Sequence, residues 1–343
     1  MNVEEKIKEL EDEIKNTQKN KATEKHIGLL KAKIARLREQ KEKRSGKRAK
    51  SRGVRKKGDA TCAVCGPPSV GKSTLINRIT DVESKVADYE FTTLEVIEGM
   101  LLHKGAYIQI LDTPGLIEGA SKGKGKGREI LSSLRASDLL IIMLDPASVD
   151  MKKEIEKELY DSGIRLDRRK PQIKVEKTDR GGIEVTGYDD KEFVKDIARE
   201  SGILNAGITM GKDVDTEGVV DFFSKNVQYT KGLWILNKID DREIRAGGFD
   251  MQISAKFGRN IEKLKDVIFE KLELMRVYTD KNDPMILRKG DAVRDFCRKI
   301  HRDFEENFKR ARVWGSSVRY GGQLVGLGHI LDDGDLIRLE AKG

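Results

Sequence analysis

Apolar residues recur at helical spacing near the start of the chain, and this spacing predicts two amphipathic helices. The apolar positions lie three and four residues apart over about residues 3–18 and again over about 23–43. The polar stretch between them, NTQKNKAT, favours an antiparallel helical hairpin over one long rod. Two interpretations of the narrow apolar stripe stay open: the two helices cover each other, or a partner protein covers both.

After residue 59 the pattern changes to short apolar runs that alternate with helical spacing. This alternation over residues 60–160 predicts a three-layer α/β domain built on a mainly parallel sheet. The strand that ends at Asp112 and the strand that ends before Asn237 are separated by 125 residues, more than one further βαβ unit requires. We therefore expect an insertion, with limits near residues 161 and 230.

The insertion has a mixed pattern of its own. Two short apolar runs, 173–175 and 183–185, flank the turn sequence DRGG and predict a β-hairpin. Helical patterns follow over 191–200 and 216–225. These elements predict a small α+β insert domain.

The α/β pattern then resumes, with a strand over 249–253 and a helix from 260 to about 275. Beyond residue 277, a helix and several short strands broken by YGG and DDGD predict a separate α+β module. The predicted regions are a helical hairpin with a basic linker (1–58), an α/β domain in two pieces (59–160 and 231–276), the insert domain (161–230) and the C-terminal module (277–343).

Charge is distributed unevenly and changes the interpretation of the amino-terminal region. Residues 1–57 hold 20 Lys and Arg against 9 Asp and Glu, so this segment carries +11 and the rest of the chain −2. Ten of the seventeen residues over 41–57 are basic, and no aromatic residue lies among them. Such a tract favours salt-sensitive contact with a phosphate backbone, as in RNA, although a solvated linker is the alternative.

The sequence GPPSVGKS, residues 66–73, fits the phosphate-binding loop pattern G-x-x-x-x-G-K-[ST] and follows an apolar strand. Glycines at 66 and 71 allow backbone N–H groups to surround an anion, and Lys72 can reach the outer phosphates. The Ser73 hydroxyl can ligate Mg²⁺. We expect the nucleotide to contact Gly66, Pro67, Ser69, Val70, Gly71, Lys72, Ser73 and Thr74.

A second motif, DTPG at residues 112–115, follows another apolar strand. Asp112 is suited to hold Mg²⁺ through a water molecule, and the Gly115 N–H can contact the γ-phosphate. Between the two motifs, Thr92 and Thr93 each offer a hydroxyl and a carbonyl to Mg²⁺ and the γ-phosphate. These features predict a switch that responds to the nucleotide.

The sequences NKID and SAK point to guanine as the base. The Asp240 carboxylate can accept two hydrogen bonds from the guanine edge, which adenine cannot supply, and Asn237 can pair with the same edge. The aliphatic stem of Lys238 can cover the ring. Ser254, Ala255 and Lys256 would support the base, with the Ala255 N–H directed at the guanine oxygen. GTP and GDP are therefore predicted as ligands.

Leu116 occupies the position after DTPG where Ras-like enzymes carry the glutamine that orients the attacking water. Leucine cannot make those hydrogen bonds, so slow intrinsic hydrolysis is predicted. The segment 118–129 alternates glycines with basic residues. It is either an unstructured loop or a surface that the nucleotide orders for docking on phosphate or on an acidic partner.

Composition limits the class of protein. Charged residues make up 36% of the chain, and the longest apolar run, 139–144, is too short to span a bilayer, so no membrane partner is expected. The charged amino terminus lacks a secretory signal and predicts a cytoplasmic location. Cys62 and Cys65 form a C-x-x-C within an apolar strand, which favours buried thiols over a zinc or redox site.

Together these motifs resemble the developmentally regulated GTP-binding proteins, Obg-related GTPases of archaea and eukaryotes, with the chain closest to an archaeal type. The most specific parts are GPPSVGKS, YEFTTLE, LDTPGLIEGASKGKGKGRE and NKID. The final segment WGSSVRYGGQLVGLGHILDDGDLIRL resembles a TGS domain of the ubiquitin-like β-grasp class. The resemblance covers nearly the whole chain.

The resemblance implies a monomeric, translation-associated GTPase that hydrolyses GTP slowly and contacts the ribosome or RNA through its basic amino-terminal segment and TGS domain. It favours Thr93 over Thr92 as the Mg²⁺ ligand. The predicted catalytic residues are then Lys72, Thr93 and Gly115. It also implies K⁺ as a further cofactor, although Ser69 stands where potassium-dependent relatives usually carry asparagine. A dedicated protein partner, as in eukaryotic members of the family, is implied as well. An RNA-binding scaffold in which GTP only stabilises the fold is the alternative.

Overall fold

The computed structural model describes residues 3–18, 20, 23–44, 56–80, 98–113, 133–224, 227–240, 247–279 and 283–341. The chain forms two compact units. The insert unit comprises Met1–Arg52 and Gly163–Tyr229, and the nucleotide unit comprises Gly53–Ser162 and Thr230–Gly343.

The nucleotide unit is built on one sheet. Its strands are β1 (Ala60–Cys65), β2 (Glu98–His103), β3 (Ala106–Asp112), β4 (Leu139–Leu144), β9 (Gln228–Leu236) and β10 (Met251–Gln252). Their order in the sheet is β10-β9-β4-β1-β3-β2. β2 runs antiparallel to β3, and the other neighbouring pairs are parallel. β1 and β4 are buried along their whole length because helices cover both faces of a parallel sheet.

The helices packed with this sheet include α3 (Lys72–Ile79), α4 (Lys152–Asp161) and α7 (Ile261–Lys271). Leu75 of α3 and Leu264 of α7 are fully buried in one apolar core with the strands. Because β1, β3, β4 and β9 are parallel, the loops that follow them leave the same edge of the sheet. The predicted motifs follow these strands, so the fold brings their described residues together at this edge.

The C-terminal module belongs to the nucleotide unit. Its elements are β11 (Leu274–Val277), β12 (Met285–Arg288), α8 (Val293–Ile300), α9 (Arg302–Glu306), β13 (Phe308–Trp314), β14 (Gln323–Val325) and β15 (Leu336–Ala341). Its sheet has the order β14-β13-β15, with β11 and β12 as a separate antiparallel pair. Phe296 and Val313 lie in its own apolar core.

Ion pairs join this module to the α/β domain. Lys299 of α8 contacts Asp59, which directly precedes β1, with 2.8 Å between Nζ and Oδ1. Arg288 of β12 contacts Asp138, which directly precedes β4, at 3.2 Å. The module is therefore held at the strand starts, the end of the sheet opposite to the motif loops.

The insert unit combines the helical hairpin with the insertion. The hairpin consists of α1 (Val3–Asn16) and α2 (Glu24–Arg44), and the insertion of β5 (Ile164–Leu166), β6 (Ile173–Lys177), β7 (Ile183–Thr186), α5 (Lys191–Glu200), β8 (Ala206–Met210) and α6 (Thr216–Phe223). Ala32 of α2 shares a buried core with Phe193 and Val219 of the insertion. Arg36 forms an ion pair with Glu200 at 3.0 Å. The insertion thus covers part of the apolar stripe of the hairpin, a third possibility besides the two interpretations of the sequence.

The structure corrects two predictions of local structure. β6 and β7 do not form a hairpin with each other, because β8 lies between them, antiparallel to β6 and parallel to β7. The helix predicted from 260 to about 275 ends at Lys271, and Met275 lies in β11. The two helices of the insertion are confirmed.

The three-layer α/β domain and the β-grasp module are confirmed by this topology. The four predicted domain boundaries stay predictions. No described helix has the length and apolar character needed to cross a membrane.

Candidate functional site

The phosphate-binding loop lies between β1 and α3 and depends on two glycines. A Cβ on Gly66 would lie 2.1 Å from the Met143 carbonyl oxygen, and a Cβ on Gly71 would lie 2.5 Å from the Asn237 side-chain nitrogen. Both glycines also have positive φ, 148° and 96°. Only glycine therefore allows the loop to approach β4 and the NKID segment this closely.

Lys72 and Ser73 begin α3 and face the end of β3. The Lys72 ammonium donates to the carbonyl oxygens of Gly66 and Pro67, at 3.0 and 2.8 Å. Burial lowers the pKa of Lys72, and the nearby Asp112 carboxylate opposes that shift. The Ser73 hydroxyl donates to Oδ2 of Asp112 at 3.1 Å. The side chains predicted to contact phosphate and Mg²⁺ thus meet at one place.

Asp112 provides the observation that bears most directly on a metal ion. Its Oδ1 atom is buried, and nothing in the described part of the chain hydrogen-bonds to it. A buried carboxylate oxygen without a partner is costly unless a cation or an ordered water contacts it. With the Ser73 hydroxyl beside it, this donor set of hard oxygens fits Mg²⁺ and a retained water shell.

Asn237 joins the phosphate loop to the loop that contains SAK. Its side-chain nitrogen donates to the Val70 carbonyl at 2.8 Å, and its oxygen accepts from the Ala255 N–H at 2.9 Å. Asn237 is only 2% exposed, because its side chain fills the space between the two loops. Asn237 is therefore placed to fix the relative position of the two loops. The Ala255 N–H, predicted to point at the guanine oxygen, donates to Asn237 in this structure. The guanine contacts of both residues stay predictions.

Asp240 and Ser254, both predicted to lie at the base, are in direct contact. The Ser254 hydroxyl donates to Oδ1 of Asp240 at 2.6 Å, and its oxygen accepts from the Phe257 N–H at 3.2 Å. Ser254 is fully buried and Asp240 is exposed. A fixed hydroxyl thus orients a solvent-facing carboxylate, the arrangement needed to accept hydrogen bonds from a guanine edge.

Lys238 has a partner that sequence reasoning missed. Its ammonium lies 2.6 Å from Oδ2 of Asp145, which directly follows β4 and also accepts from the Ser148 hydroxyl at 2.6 Å. Burial acts to raise the pKa of Asp145, but the bonds from Lys238 and Ser148 outweigh it and hold that pKa below its usual value. The available signal was position, since Asp145 ends a buried parallel strand beside the one that leads into NKID.

Arg78 was also missed, because nothing in its local sequence marks it. It lies in the last turn of α3 and donates from Nε to the Ala255 carbonyl at 3.3 Å and from Nη2 to the Lys256 carbonyl at 2.5 Å. Only the tertiary fold brings the end of this helix to the SAK loop.

The remaining predicted site residues fall into three groups. Pro67 and Val70 are buried in the phosphate loop, whereas Ser69, Thr74 and Lys256 are exposed around it. Thr92, Thr93, Gly115 and Leu116, together with the segment 118–129, lie outside the described residues. Their predicted roles therefore stay predictions.

The C-x-x-C pair is not part of the site. Cys62 and Cys65 are buried free thiols in β1, as the sequence favoured. Burial raises the pKa of Cys65 to about 12, although the nearby Lys72 opposes the shift, so this thiol stays protonated at neutral pH. Among the described residues, no group of three or more His, Cys, Asp or Glu side chains is placed to hold a metal ion.

Comparison with known protein families covers most of the chain. The model of a 50S ribosome-binding GTPase matches residues 61–177, and the model of the C-terminal region of that domain matches residues 180–274. The model of the TGS domain matches residues 275–340.

Several relatives are similar along their whole length. An uncharacterized GTP-binding protein of Methanocaldococcus jannaschii is 42% identical over 366 residues, covering 100% of this chain and 94% of the relative. The developmentally regulated GTP-binding protein 2 homolog of Dictyostelium discoideum is 40% identical over 365 residues, covering 100% of both. Developmentally regulated GTP-binding protein 1 of Xenopus laevis is 41% identical over 361 residues, covering 98% of both.

Among solved structures, the YchF GTPase of Schizosaccharomyces pombe matches 83% of this chain and 99% of its own, at 15% identity and a TM-score of 0.48. The family assignment rests instead on the full-length relatives and on the phosphate loop, Asp112 and NKID residues gathered at one edge of the sheet. The chain belongs to the developmentally regulated GTP-binding proteins, a family of GTPases with a C-terminal TGS domain.

Proposed function

We propose that this chain hydrolyses GTP slowly in a Mg²⁺-dependent reaction and acts as a nucleotide-dependent switch on ribosomes or RNA. The observation that carries the proposal is the junction at Asn237, whose amide contacts both the phosphate loop and the SAK loop. That junction supports binding of one ligand that carries both a phosphate chain and a guanine base.

In this proposal, Ser73, Asp112 and Thr93 hold Mg²⁺. When bound, Mg²⁺ would neutralise charge on the β- and γ-phosphates of the nucleotide. Lys72 would exchange its present contacts with the Gly66 and Pro67 carbonyls for phosphate oxygens, which match a cation better than neutral carbonyls do. The Gly115 N–H would report the presence of the γ-phosphate.

Base selection would depend on Asp240. The Ser254 hydroxyl holds one of its oxygens, which supports acceptance of hydrogen bonds from guanine N1 and the exocyclic amino group. Adenine presents an acceptor where guanine presents N1–H, so ATP would leave this carboxylate without a matching donor.

An Asp240→Asn variant tests whether Asp240 selects guanine, because the substitution should change which base the chain prefers. We expect weaker GTP binding, by about tenfold or more because a hydrogen bond to a charged group contributes about 1.5–3 kcal/mol, and a gain for xanthosine triphosphate. Titration calorimetry with GTP, XTP and ATP measures both. Equal affinity of the unaltered chain for ATP and GTP contradicts the base assignment.

Slow turnover would follow from Leu116, which cannot orient water as glutamine does. We propose that K⁺ or an external activator compensates. Rates of GTP hydrolysis measured in KCl and in NaCl of equal ionic strength distinguish these two explanations, since a K⁺ site gives a faster rate only in KCl.

The ribosome or RNA would be contacted by the amino-terminal segment with its +11 charge and by the TGS domain. The description of the matching family model, a 50S ribosome-binding GTPase, supports this part of the proposal. The alternative is a scaffold that binds RNA or ribosomes and uses GTP only for stability; it predicts no nucleotide turnover, with or without ribosomes.

A further inference from the structure

α3 connects the phosphate loop to the base-binding loop at both of its ends. Its first residues, Lys72 and Ser73, belong to the phosphate loop, and its last turn carries Arg78. Arg78 donates to the carbonyl oxygens of Ala255 and Lys256, two of the three residues predicted to support guanine. One short helix is thus anchored in both loops.

The same two loops are also connected through Asn237. The Ala255 N–H donates to Asn237, and Asn237 in turn donates to the Val70 carbonyl of the phosphate loop. The path therefore runs from the phosphate loop through Asn237 to Ala255, through Arg78 to α3, and back to the phosphate loop. Ala255 is held on both sides of its backbone, through its N–H by Asn237 and through its C=O by Arg78.

The surroundings of Arg78 fit this positioning role. Gly258 turns the SAK loop with φ +78°, and a Cβ on Gly258 would lie 3.8 Å from the Arg78 guanidinium carbon. The Gly258 N–H donates to the Ser254 carbonyl at 2.9 Å, so the loop forms a tight turn against the guanidinium. A planar guanidinium can donate to two carbonyls at fixed separation, which a lysine ammonium on its flexible stem does less well.

We infer that Arg78 is a positioning residue that aligns the SAK loop with the phosphate loop, so that base and phosphates of one nucleotide are bound together. The inference rests on the proposed function, in which a guanine base binds beside Asp240. Loss of Arg78 then loosens the base subsite and leaves the phosphate subsite formed. The affinity for guanine nucleotides then falls, while the affinity for a nucleotide that is bound only through its phosphates stays unchanged.

The first test compares GDP with ADP, which shares the phosphates but not the guanine contacts, by titration calorimetry on the full chain with Mg²⁺. For Arg78→Ala we expect GDP affinity to fall about tenfold, the effect of one lost charge-assisted hydrogen bond, and ADP affinity to stay unchanged. Arg78→Lys should give an intermediate value. Asn77→Ala, which alters an exposed neighbour on the same helix, should match the unaltered chain.

A general loss of folding predicts a different pattern, in which GDP and ADP affinities fall in parallel. The inference is overturned if the ratio of GDP affinity to ADP affinity is the same in Arg78→Ala as in the unaltered chain, whether both affinities fall or neither does. Thermal unfolding without nucleotide identifies a variant that is simply unstable, and the Arg78→Lys variant then supplies the same comparison in a folded chain.

The second test does not depend on which base the chain prefers. Hydrogen exchange without nucleotide should be faster over residues 254–258 in Arg78→Ala than in Asn77→Ala, because the loop loses its contact with α3. Equal exchange overturns the inference even if guanine preference is established. If the unaltered chain does not prefer GDP to ADP, the proposed function fails, and exchange at 254–258 still decides the role of Arg78.

Discussion

At the scale of single residues, the site depends on close approaches that side chains larger than hydrogen would prevent. Gly71 and Asn237 illustrate this, since the side-chain amide of Asn237 occupies the space where a Cβ would project. Asn237 in turn is buried because it satisfies backbone groups of two loops at once. The phosphate loop and NKID are thus parts of one packed junction.

Gly71→Ala should therefore impair nucleotide binding through a clash as well as through backbone strain. Gly290 is a matched control, because it has nearly the same φ, 93° against 96°, and nothing lies within 4 Å of a Cβ built on it. Both variants should lose about 1–2 kcal/mol of stability from the left-handed backbone. Only Gly71→Ala should also lose GDP affinity, by about tenfold or more on titration; equal affinities in the two variants contradict this account.

Asp145 gives a prediction about pH. Its folded-state pKa lies below the usual value, so its contribution to the free energy of unfolding is present above the unfolded-state pKa, about 3.9 for aspartate. That contribution is lost as pH falls through the folded-state pKa. Denaturant unfolding of Asp145→Asn between pH 6 and pH 3 should show a shallower loss of stability than the unaltered chain. Parallel curves would mean that the pair with Lys238 contributes nothing measurable.

Elements show where sequence patterns suffice and where they do not. The strands that lead into the motifs were predictable because buried parallel strands are continuous apolar runs, as in β4. The strand order within the insertion was not predictable. The sequence DRGG between two apolar runs is equally compatible with a hairpin and with a sheet in which a later strand, β8, lies between the two. β8 pairs with both runs only through tertiary contacts that local spacing does not encode.

Site residues divide in the same way. Phosphate-loop and NKID residues follow fixed spacings, so their positions could be predicted from the sequence. Arg78 and Asp145 act through partners 177 and 93 residues away, at Ala255 and Lys238, and no local motif marks either one. Predicting them would require knowledge of which strand ends and helix ends meet.

One element-scale prediction concerns the buried ion pair between β5 and α6. Arg165 and Asp221 form two hydrogen bonds, at 2.7 and 2.8 Å, and both side chains are only 7% exposed. Burial and the adjacent Asp221 carboxylate raise the pKa of Tyr229 to about 12. Asp221→Asn should cost about 3 kcal/mol in unfolding free energy, because it removes the nearer of the two carboxylates beside a buried guanidinium; Glu217 lies farther away, 3.9 Å from Arg165.

Chemical denaturation measures that cost, with Asp196→Asn as the control. Asp196 pairs with Arg199 at 3.0 Å on the surface, where both side chains are about half exposed, so its loss should cost less than about 1 kcal/mol. The double variant Arg165→Met, Asp221→Leu should recover most of the stability. Similar costs for Asp221→Asn and Asp196→Asn would show that burial does not matter here.

At the scale of the whole molecule, the chain combines a nucleotide unit, which includes the TGS module, with an insert unit that includes the amino-terminal helices. The basic segment of charge +11 belongs to the amino-terminal region and not to the nucleotide site. The proposed function therefore places polyanion binding and nucleotide binding in different parts of the sequence, so each can be altered separately.

Charge reversal in the basic tract tests this assignment while retaining the hairpin. Replacing Lys47, Arg48 and Lys50 with glutamate should weaken RNA or ribosome binding and reduce its dependence on salt, because fewer counterions are released. GDP affinity should stay unchanged. Filter binding at several KCl concentrations measures the slope; an unaltered slope assigns the contact to the TGS module or the insert.

The most direct test of the account is single-turnover hydrolysis of GTP with Mg²⁺, in the presence and absence of ribosomes. We expect slow conversion of GTP to GDP and phosphate by the chain alone, acceleration by ribosomes, and no conversion of ATP in either condition. No GTP hydrolysis with or without ribosomes, in a chain that binds GTP and remains folded, would contradict the account and support a scaffold in which the nucleotide is structural.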